Sequence, residues 1–521
     1  MRRSTLSLLL ALVVLLLAGC MPALTPTPSP PPQAKPSATS TPQEPLTVTY
    51  PGRDWGYPSP FGFYPRGPGY IRMSLIFDTL VWKDEKGFIP WLADSWETSP
   101  DGLTWTFTLH PGVLWQDGQP LTAEDVAFTY AYFQKHTTAF KWCASLQDVD
   151  TIKAQDQQTV IITLKKPLAG FLADVAGTVP IIPKHIWEKV QDPAKFTSPE
   201  AVIGSGPFKL VQYSKEEGRY IYEANPSFFK GKPIIDRLVF VKVQDSALAL
   251  KTGTVDAATF WGKEIEAVQK LLQEEGLRSV EGPSFWVLQL IFNTSKSPLD
   301  QPAFRHAIAQ AIDRQKIVEQ VTHGGAIVAN LGIISPKTEW YNPNLPTYKY
   351  DPSKAREALQ SLGLVGAKFT LLTTESFARE AELIKADLEK AGLQIEIKTG
   401  DRSTVDGLLR KNAFDLAING HGGIANPSIL DNPVWPASCY HNERYNELFA
   451  AQAQAVNAEE RKKLVWQLQE LLAEDLPVLT LYHPKMWCLY NPQVLDSWFY
   501  TAGGVDGGIP LPLNKLVFLA R

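Results

Sequence analysis

Regular patterns of apolar residues run through the chain from about residue 46 onward. The segment Leu103–Leu109 alternates apolar and hydroxyl side chains with a period of two, which predicts a half-buried strand. Apolar residues at every fourth position predict a helix over 302–312. Thr122, followed three residues later by Asp125, predicts the N-terminus of another helix. Strands and helices are therefore mixed along the chain, which indicates an α/β fold.

The same patterns predict further elements. Strands are expected at 159–164, 208–213, 219–223, 257–260 and 393–397, of which the second and third form a hairpin. Helices are expected at 375–391 and, as one long amphipathic helix, at 443–474. No internal repeat of 20–50 residues is visible, which argues against a solenoid or a propeller.

The first residues have the composition of an export signal. Arg2 and Arg3 precede an apolar run from Leu6 to Leu17. The run ends in Leu-Ala-Gly and Cys20, which resembles the lipobox of bacterial lipoproteins. The resemblance implies that residues 1–19 are removed and that Cys20 is lipidated, with the two or more acyl chains that stable anchoring requires. A retained single-span anchor is the alternative.

Residues 20–45 are rich in Pro, Ser and Thr and have almost no residues that could build a core. Such a segment is typical of a tether, because proline favours extended polyproline geometry of about 3 Å per residue. We therefore expect the body of the protein to lie outside the cytoplasm, held at a distance from a membrane, on the periplasmic or the cell-surface side.

Length and charge restrict what the body can be. A chain of 521 residues exceeds what a single hydrophobic core supports, so two or more lobes are expected. Hydrophobic residues make up 44% and charged residues 20%, which is ordinary globular composition. The formal net charge is −4, and basic residues are interspersed with acidic ones. A nucleic acid partner is therefore not expected.

The sequence contains no recognisable catalytic motif. It lacks a Gly-x-Ser-x-Gly elbow, a phosphate-binding P-loop and a His-Glu-x-x-His helix. The turn Gly204–Pro207 resembles a phosphate-binding loop, but Pro207 has no N–H to donate, so we interpret the turn as structural. The histidines and cysteines of the last quarter match no zinc spacing. We predict neither an enzyme nor a metal or cofactor site.

Three cysteines remain besides Cys20. They are Cys143, Cys439 and Cys488. A disulfide between Cys439 and Cys488 is one option, and burial of each as a small hydrophobic side chain is the other.

Several blocks of sequence follow one another along the body in a recognisable order. They are Ile76–Leu80, Pro90–Glu97, Asp101–Phe107, Trp115–Val126, Gly204–Phe208, Asn225–Pro233, Phe292–Thr294, Arg305–Arg314 and Tyr350–Ala355. In this order they resemble the family 5 extracellular solute-binding proteins, the peptide and nickel group of bacterial ABC importers. The resemblance covers essentially Leu46 to the C-terminus.

The resemblance implies a periplasmic-binding-protein-like fold of type II, cluster C. Such a fold has two α/β lobes joined by hinge strands, with an extra domain in the N-terminal half. We expect the first lobe to comprise 46–73, 202–283 and 491–521. The extra domain is expected at 74–201 and the second lobe at 284–490.

The resemblance also implies a function. The protein is expected to capture a solute by closing its lobes, and to deliver the solute to the permease of an ABC importer without turnover. An oligopeptide is the predicted ligand, and an oligosaccharide is the alternative. A ligand sensor or an enzyme built on the same scaffold is the alternative of another class. The expected partners are the ligand, the permease subunits and the lipid bilayer, and we expect a monomer.

One segment departs from the pattern of the peptide-binding members. In those proteins the residues after the strand that corresponds to Phe414–Ile418 carry an aspartate, which pairs with the peptide ammonium. Here the residues are Asn419–Pro427, and no carboxylate appears until Asp431. Either His421 or Asn426 can hydrogen-bond an amine, but neither offsets the cost of burying its charge. Both are candidate ligand-binding residues.

Aromatic residues supply the other candidates. The chain has 15 tryptophans, and aromatic rings suit apolar peptide side chains, sugar rings and organic cations alike. The resemblance implies that Phe285 and Trp286 enter the second lobe through the cleft and that Trp261 faces it from the first lobe. Tyr57 and Trp435 complete the set. For each ring, packing in a core is the alternative interpretation.

Overall fold

A computed structural model describes most of the chain. The described residues are 44–64, 67–137, 146–273, 276–328, 330–422, 426–501 and 514–520. The predicted export signal, Cys20, nearly all of the predicted tether and Cys143 lie outside them. Pro45 to the C-terminus belongs to one compact unit.

Strands and helices are mixed throughout the described residues, which confirms the α/β prediction. In chain order the strands are β1 (Thr47–Gly52), β2 (Val81–Lys83), β3 (Phe88–Pro90), β4 (Ala93–Thr98), β5 (Thr104–Leu109), β6 (Val149–Ala154), β7 (Thr159–Leu164), β8 (Phe208–Ser214), β9 (Arg219–Ala224), β10 (Arg237–Lys242), β11 (Ala257–Trp261), β12 (Arg278–Pro283), β13 (Trp286–Phe292), β14 (Ala326–Ile327), β15 (Lys368–Thr374), β16 (Gln394–Gly400), β17 (Leu416–Gly422) and β18 (Val478–Tyr490). The helices are α1 (Gly67–Ser74), α2 (Ala123–Lys135), α3 (Lys184–Trp187), α4 (Ser246–Lys251), α5 (Ile265–Leu272), α6 (Pro302–Ala311), α7 (Arg314–Thr322), α8 (Pro352–Ser361), α9 (Ala378–Lys390), α10 (Arg402–Arg410), α11 (Glu443–Gln454) and α12 (Ala458–Asp475).

The strands form three principal sheets. One has the order β1-β10-β9-β8, and its β1 and β10 are parallel. A second, antiparallel sheet has the order β4-β5-β7-β6, beside the short pair β2 and β3. The third has the order β11-β18-β13-β17-β15-β16, with β12 and β14 also paired to β18. The predicted hairpin of β8 and β9 is present, as antiparallel neighbours.

Strand β18 connects two parts of the third sheet. Its first residues, Val478–Tyr482, pair with β13, whereas Lys485–Tyr490 pair with β11 and β12. Residues His483 and Pro484 lie between these two stretches and pair with the short β14. A second connection between the same two parts runs from β12 into β13. Two neighbouring chain segments therefore pass from one group of strands to the other.

Two local predictions from the sequence are confirmed. The Thr122 N–H donates to Asp125 Oδ2 at 2.9 Å and closes a capping box at the start of α2. The turn at Gly204 is structural, because a Cβ at this position would lie 2.1 Å from the carbonyl oxygen of Ile76. Ser205 in the same turn donates to Asp78 at 2.8 Å. Gly204 and Ser205 thus hold this turn against the segment that contains Ile76 and Asp78.

The prediction of one long helix over 443–474 is wrong, because two helices occupy this range. Helix α11 ends at Gln454 and α12 begins at Ala458. Asn457 caps the second helix, and its side chain accepts a hydrogen bond from the Glu460 N–H at 3.0 Å. Val456 just before it is β-branched, which lowers helix propensity. The helix breaks there because the Asn457 side chain satisfies a backbone N–H group in the first turn of a new helix.

The two described cysteines are not joined. Cys439 and Cys488 are both free and buried. Cys439 packs in a cluster of the second-lobe region, and Cys488 packs in the large cluster around β1 and β10. Of the two options, burial as small hydrophobic side chains is the one observed.

A buried ion pair joins the C-terminal segment to the residues just before β2. The Lys515 ammonium lies 2.5 Å from Asp78 Oδ1, and both side chains are fully buried. The ammonium also lies 4.0 Å from the Trp82 ring centroid and 4.9 Å from that of Trp91. Burial lowers the pKa of Lys515, and Asp78 partly offsets this effect. Asp78 therefore provides the counter-charge that the buried ammonium requires.

Replacing Lys515 by Met tests this ion pair. The change leaves the Asp78 carboxylate buried without its cation, so we expect the free energy of unfolding to fall by about 3–5 kcal/mol. The double variant with Asp78→Asn should recover part of the loss, and urea unfolding measures both. Lys232→Met, which breaks a solvent-exposed pair with Asp236, is the matched control and should change little. Equal effects of the two lysine substitutions would contradict the assignment.

Candidate functional site

The two connecting segments are bonded to each other where they cross between the lobes. Ser284 Oγ donates to the Pro484 carbonyl oxygen at 2.6 Å. His483 Nδ1 lies 3.1 Å from the carbonyl oxygen of Trp286, so this nitrogen carries the proton and donates. His483 Nε2 has no hydrogen-bond partner among the described residues. The crossing is therefore a tied pair of segments rather than two independent linkers.

Aromatic rings meet beside this crossing. The rings of Trp261, at the end of β11, and Trp286, at the start of β13, are edge to face with centroids 6.5 Å apart. Both are partly buried. Gly420 on the neighbouring strand makes room for Trp286, because a Cβ there would lie 3.1 Å from ring atom Cζ3. Phe377 Cζ lies 4.0 Å from the same position. We call Trp261, Trp286 and Phe377 the aromatic group.

Charged residues from both sides of the crossing border the aromatic group. The Lys263 ammonium lies 2.7 Å from Glu380 Oε1 and donates to the Ser376 carbonyl oxygen at 2.7 Å. The same Glu380 oxygen accepts from the Tyr482 hydroxyl at 2.6 Å, and the Glu380 side chain is fully buried. Burial and the Glu380 charge raise the pKa of Tyr482. The loop after β11 is thus fastened to the start of α9.

A row of polar side chains crosses the third sheet on the face opposite to that of the Trp286 side chain. One face of the sheet is apolar and is formed by Val287, Ile291, Leu372, Ala417 and Val478. Four polar residues lie on the same face, each two positions along its strand from one of these apolar residues. They are Thr374, Asn419, Gln289 and Thr480. Gln289 pairs with Asn419 on one side and with Thr480 on the other. We call these four residues the polar row.

The polar row is only partly satisfied. Thr480 donates to the Gly332 carbonyl oxygen at 3.2 Å, and Asn419 Nδ2 donates to the Trp435 carbonyl oxygen at 3.1 Å. Both amide atoms of Gln289 and the hydroxyl of Thr374 are buried without a partner among the described residues. Buried polar groups in native proteins are nearly always hydrogen-bonded, to water or a ligand where not to protein. The row therefore has hydrogen-bonding capacity that no described residue satisfies.

Arg402 lies at the exposed end of the polar row. Its Nη1 donates to Asn419 Oδ1 at 2.8 Å, and its guanidinium carbon lies 5.7 Å from the Phe377 ring centroid. Its side chain is 47% exposed. A cation from α10 therefore lies beside Asn419 of β17, at one end of the polar row.

Two of the predicted ligand-binding residues lie in packed surroundings. Phe285 is 4% exposed, has a φ of 56° and places its ring 6.2 Å from that of Tyr500. Tyr57 donates to the Ser198 carbonyl oxygen at 3.3 Å, and its ring meets Tyr213 edge to face at 5.7 Å. Burial raises the pKa of Tyr57. The structure does not bring these two residues into the aromatic group, and their role in binding stays a prediction.

The three predicted residues after β17 pack against one another. The rings of His421 and Trp435 are stacked, with centroids 5.7 Å apart, and His421 Nε2 lies 3.2 Å from the Ile429 carbonyl oxygen. Asn426 Oδ1 accepts from the Ser428 N–H at 2.8 Å and caps the short turn that follows. Trp435 also contacts the polar row through Asn419. These residues build the wall beside the row, and ligand contact by them stays a prediction.

Gln289, Arg402 and Phe377 were not predicted from the sequence. Gln289 has a visible signal, since it is the one polar residue in the apolar run Trp286–Phe292. Asn419 interrupts the strand after Leu416–Ile418 in the same way. Arg402 and Phe377 have no such signal, because only the fold brings them beside β17.

The described residues lack two features. No group of three or more His, Cys, Asp or Glu side chains there could hold a metal ion. No helix within the described ranges combines the length and the apolar character that crossing a bilayer requires.

Comparisons with known proteins identify the family. The profile of the family described as "Bacterial extracellular solute-binding proteins, family 5 Middle" matches residues 87–439. The chain belongs to this family. Such proteins are the substrate-binding components of ABC importers, act outside the cytoplasm and are not enzymes.

Individual relatives differ in what they bind. The chain is 28% identical to heme-binding protein A of Haemophilus influenzae, over 84% of this chain and 87% of that one. It is 30% identical to the dipeptide-binding protein of Escherichia coli K12, over 60% of this chain and 63% of that one. Among solved structures, the ABC transporter substrate-binding protein CtaP of Listeria monocytogenes is similar, with a TM-score of 0.76 and 24% identity, over 86% of this chain and 94% of that one. The likeness confirms the predicted two-lobe fold of family 5 solute-binding proteins.

The buried histidine at the crossing predicts a pH dependence of this solute-binding protein's stability. Burial lowers the pKa of His483 to about 4, whereas an unfolded chain has a histidine pKa of about 6.5. The unfolded state therefore binds more protons between these values, and stability is full above pH 6.5 and falls as the pH drops towards 4. The loss from this residue should be about 3 kcal/mol.

His483→Asn tests this expectation, because the asparagine amide can donate to the Trp286 carbonyl oxygen and does not titrate. The slope of melting temperature against pH between 6.5 and 4 should become shallower in this variant. The exposed His441 supplies the control, since His441→Asn should leave the slope unchanged. An unchanged slope in the His483 variant would contradict the assignment.

Proposed function

We propose that this solute-binding protein captures an oligopeptide between its lobes and delivers it, without turnover, to the permease of an ABC importer. The observation that carries the proposal is the pair of tryptophan rings beside the crossing between the lobes. A peptide has apolar side chains for the rings of Trp261 and Trp286, and main-chain amides that can both donate to and accept from the Gln289 side chain on the opposite face of β13.

The lobes are proposed to move about the tied crossing. The expected boundaries are kept, with 46–73, 202–283 and 491–521 as the first lobe, 74–201 as the extra domain and 284–490 as the second lobe. The pairing of Lys485–Tyr490 with β11 and β12 favours a hinge at Pro484.

Contacts between the extra domain and the second lobe support closure as the binding step. The Ala169 N–H donates to the Ala453 carbonyl oxygen at 2.8 Å, and Arg461 Nη1 donates to the Ala169 carbonyl oxygen at 3.1 Å. The guanidinium of Arg461 lies 5.1 Å from the Trp340 ring centroid. Burial lowers the pKa of Arg461. Opening of the lobes would have to break these contacts. A ligand bound in the closed cleft takes the place of the water that fills the open one.

A thermal-shift screen of the tether-free body tests the ligand class. Pools of di- to hexapeptides, cello- and malto-oligosaccharides, heme and nickel are compared, because a ligand that binds only the native state raises the melting temperature. We expect stabilisation by peptides. Stabilisation by oligosaccharides alone would contradict the proposal and make the aromatic group a stacking platform for sugars.

Substitutions in the aromatic group should then locate the site. Trp261→Ala and Trp286→Ala should each weaken peptide binding about 10- to 100-fold, because buried tryptophans dominate binding energy at interfaces. Isothermal titration calorimetry measures the change. Tyr350→Ala, at a ring that is 40% exposed and outside the aromatic group, is the control and should bind as the unaltered protein does. Equal affinities of all three variants would place the ligand elsewhere.

We also propose that Cys20 is lipidated and anchors the protein, as a monomer, to the outer side of a cell membrane. The support is the sequence Leu-Ala-Gly-Cys after an apolar run, followed by a proline-rich tether. Cys20→Ala should abolish incorporation of radiolabelled palmitate and release the protein from the membrane fraction. Cys488→Ala, at a buried cysteine, should leave labelling intact. Persistent labelling of the Cys20 variant would contradict lipidation at this residue.

A further inference from the structure

Arg402, the first residue of α10, places a positive charge beside Asn419 of β17. We propose that Arg402 receives a carboxylate of the ligand there, with the unpartnered Gln289 amide and Thr374 hydroxyl of the polar row as the polar surface behind it. The inference rests on the proposed peptide function and specifies which end of a peptide this part of the cleft recognises. It makes Arg402 a specificity-determining residue.

Arg402 and the polar row lie on one face of the sheet. Val405 and Leu409 of α10 pack in the same apolar cluster as Val287 and Ile291, so α10 covers the face that bears the row. From the first position of that helix, Arg402 reaches Asn419 Oδ1 at 2.8 Å. Because Gln289 pairs with Asn419, the guanidinium stands one strand away from the unpartnered amide. The row therefore leads from an exposed cation to buried hydrogen-bonding groups.

The charges around Arg402 leave it able to bind an anion. Asp406 Oδ1 forms an ion pair with Arg402 Nη1 at 3.8 Å, a separation too long for a hydrogen bond, so the pair leaves the guanidinium N–H donors available. Asp401 is occupied in capping α10, since it accepts from the Thr404 N–H at 2.9 Å and from its hydroxyl at 2.7 Å. Glu380 is held by Lys263 and Tyr482. The Arg402 side chain remains 47% exposed, and a guanidinium has five N–H donors.

A carboxylate matches this arrangement better than an amine does. Guanidinium and carboxylate form charge-assisted hydrogen bonds in a planar, often bidentate geometry. The Gln289 amide and the Thr374 hydroxyl can each donate as well, so the surface offers several donors of which one is charged. A ligand ammonium placed here would meet a like charge and no carboxylate acceptor in the polar row.

The test compares peptides that differ only in their C-terminal charge. A pool of hydrophobic tri- to pentapeptides is prepared as free acids and, separately, as C-terminal amides, and Kd is measured for each pool. The unaltered protein should bind the free acids about 10- to 100-fold more tightly, as expected for hydrogen bonds to a charged group. Arg402→Gln should remove this preference by weakening only the free acids, and Arg402→Lys should keep part of it.

A control in the same helix separates a local contact from a general effect of charge. Arg410→Gln removes one positive charge from the other, exposed end of α10 and should leave the preference intact. Equal binding of both pools by the unaltered protein, equal weakening of both by Arg402→Gln, or loss of the preference in Arg410→Gln would each overturn the inference while the peptide function stands. Binding of neither pool by the unaltered protein would overturn the proposed function and the inference together.

Discussion

The Lys515 ammonium and the Asp78 carboxylate meet at 2.5 Å in the interior of the body, fully removed from solvent. Neither charge is tolerable there alone, because the effective cost of burying one is several kcal/mol. The remaining capacity of Asp78 is filled by Trp91 Nε1 at 2.7 Å and Ser205 Oγ at 2.8 Å. Three segments that are distant in sequence, 78–91, the turn at Ser205 and the segment of Lys515, therefore meet at this carboxylate. The ion pair constrains the fold more than it stabilises it.

This constraint reaches the binding region through β18. The strand begins in the pairing with β13, passes the crossing at His483 and Pro484, and ends in the pairing with β11. The chain then continues to the C-terminal segment, which Lys515 holds against Asp78. Both ends of β18 are held by strand pairing, and we propose that bending occurs in the short stretch between its two pairings. Confinement of this kind lets two lobes rotate as bodies while their sheets keep their register.

The sequence predicted local elements well wherever neighbouring residues decide them. The bond between Thr122 and Asp125 depends on a spacing of three, and the strand pattern of β5 depends on a spacing of two. The prediction of one long helix was wrong because the apolar pattern keeps its phase across Val456 and Asn457. The Asn457 cap competes with helix continuation through hydrogen bonds, and the spacing of apolar residues does not reveal these bonds. The two-lobe fold followed from the resemblance. The proximity of Gln289 and Arg402 did not follow from the resemblance. It depends on the register of the strands in the third sheet and on the position of α10.

The unsatisfied part of the polar row bears on how binding and closure are coupled. A buried donor or acceptor without a partner costs about 1–3 kcal/mol, and Gln289 and Thr374 present such groups in the body as it stands. We propose that water satisfies these groups while the lobes are open, so that closure without a ligand has to remove that water. A ligand that supplies matching hydrogen bonds relieves the cost in the closed state only. The free energy of closure then depends on the ligand's polar groups at the row, and the aromatic group adds affinity that distinguishes ligands less sharply. Selectivity in this cleft is therefore expected to come from the polar row.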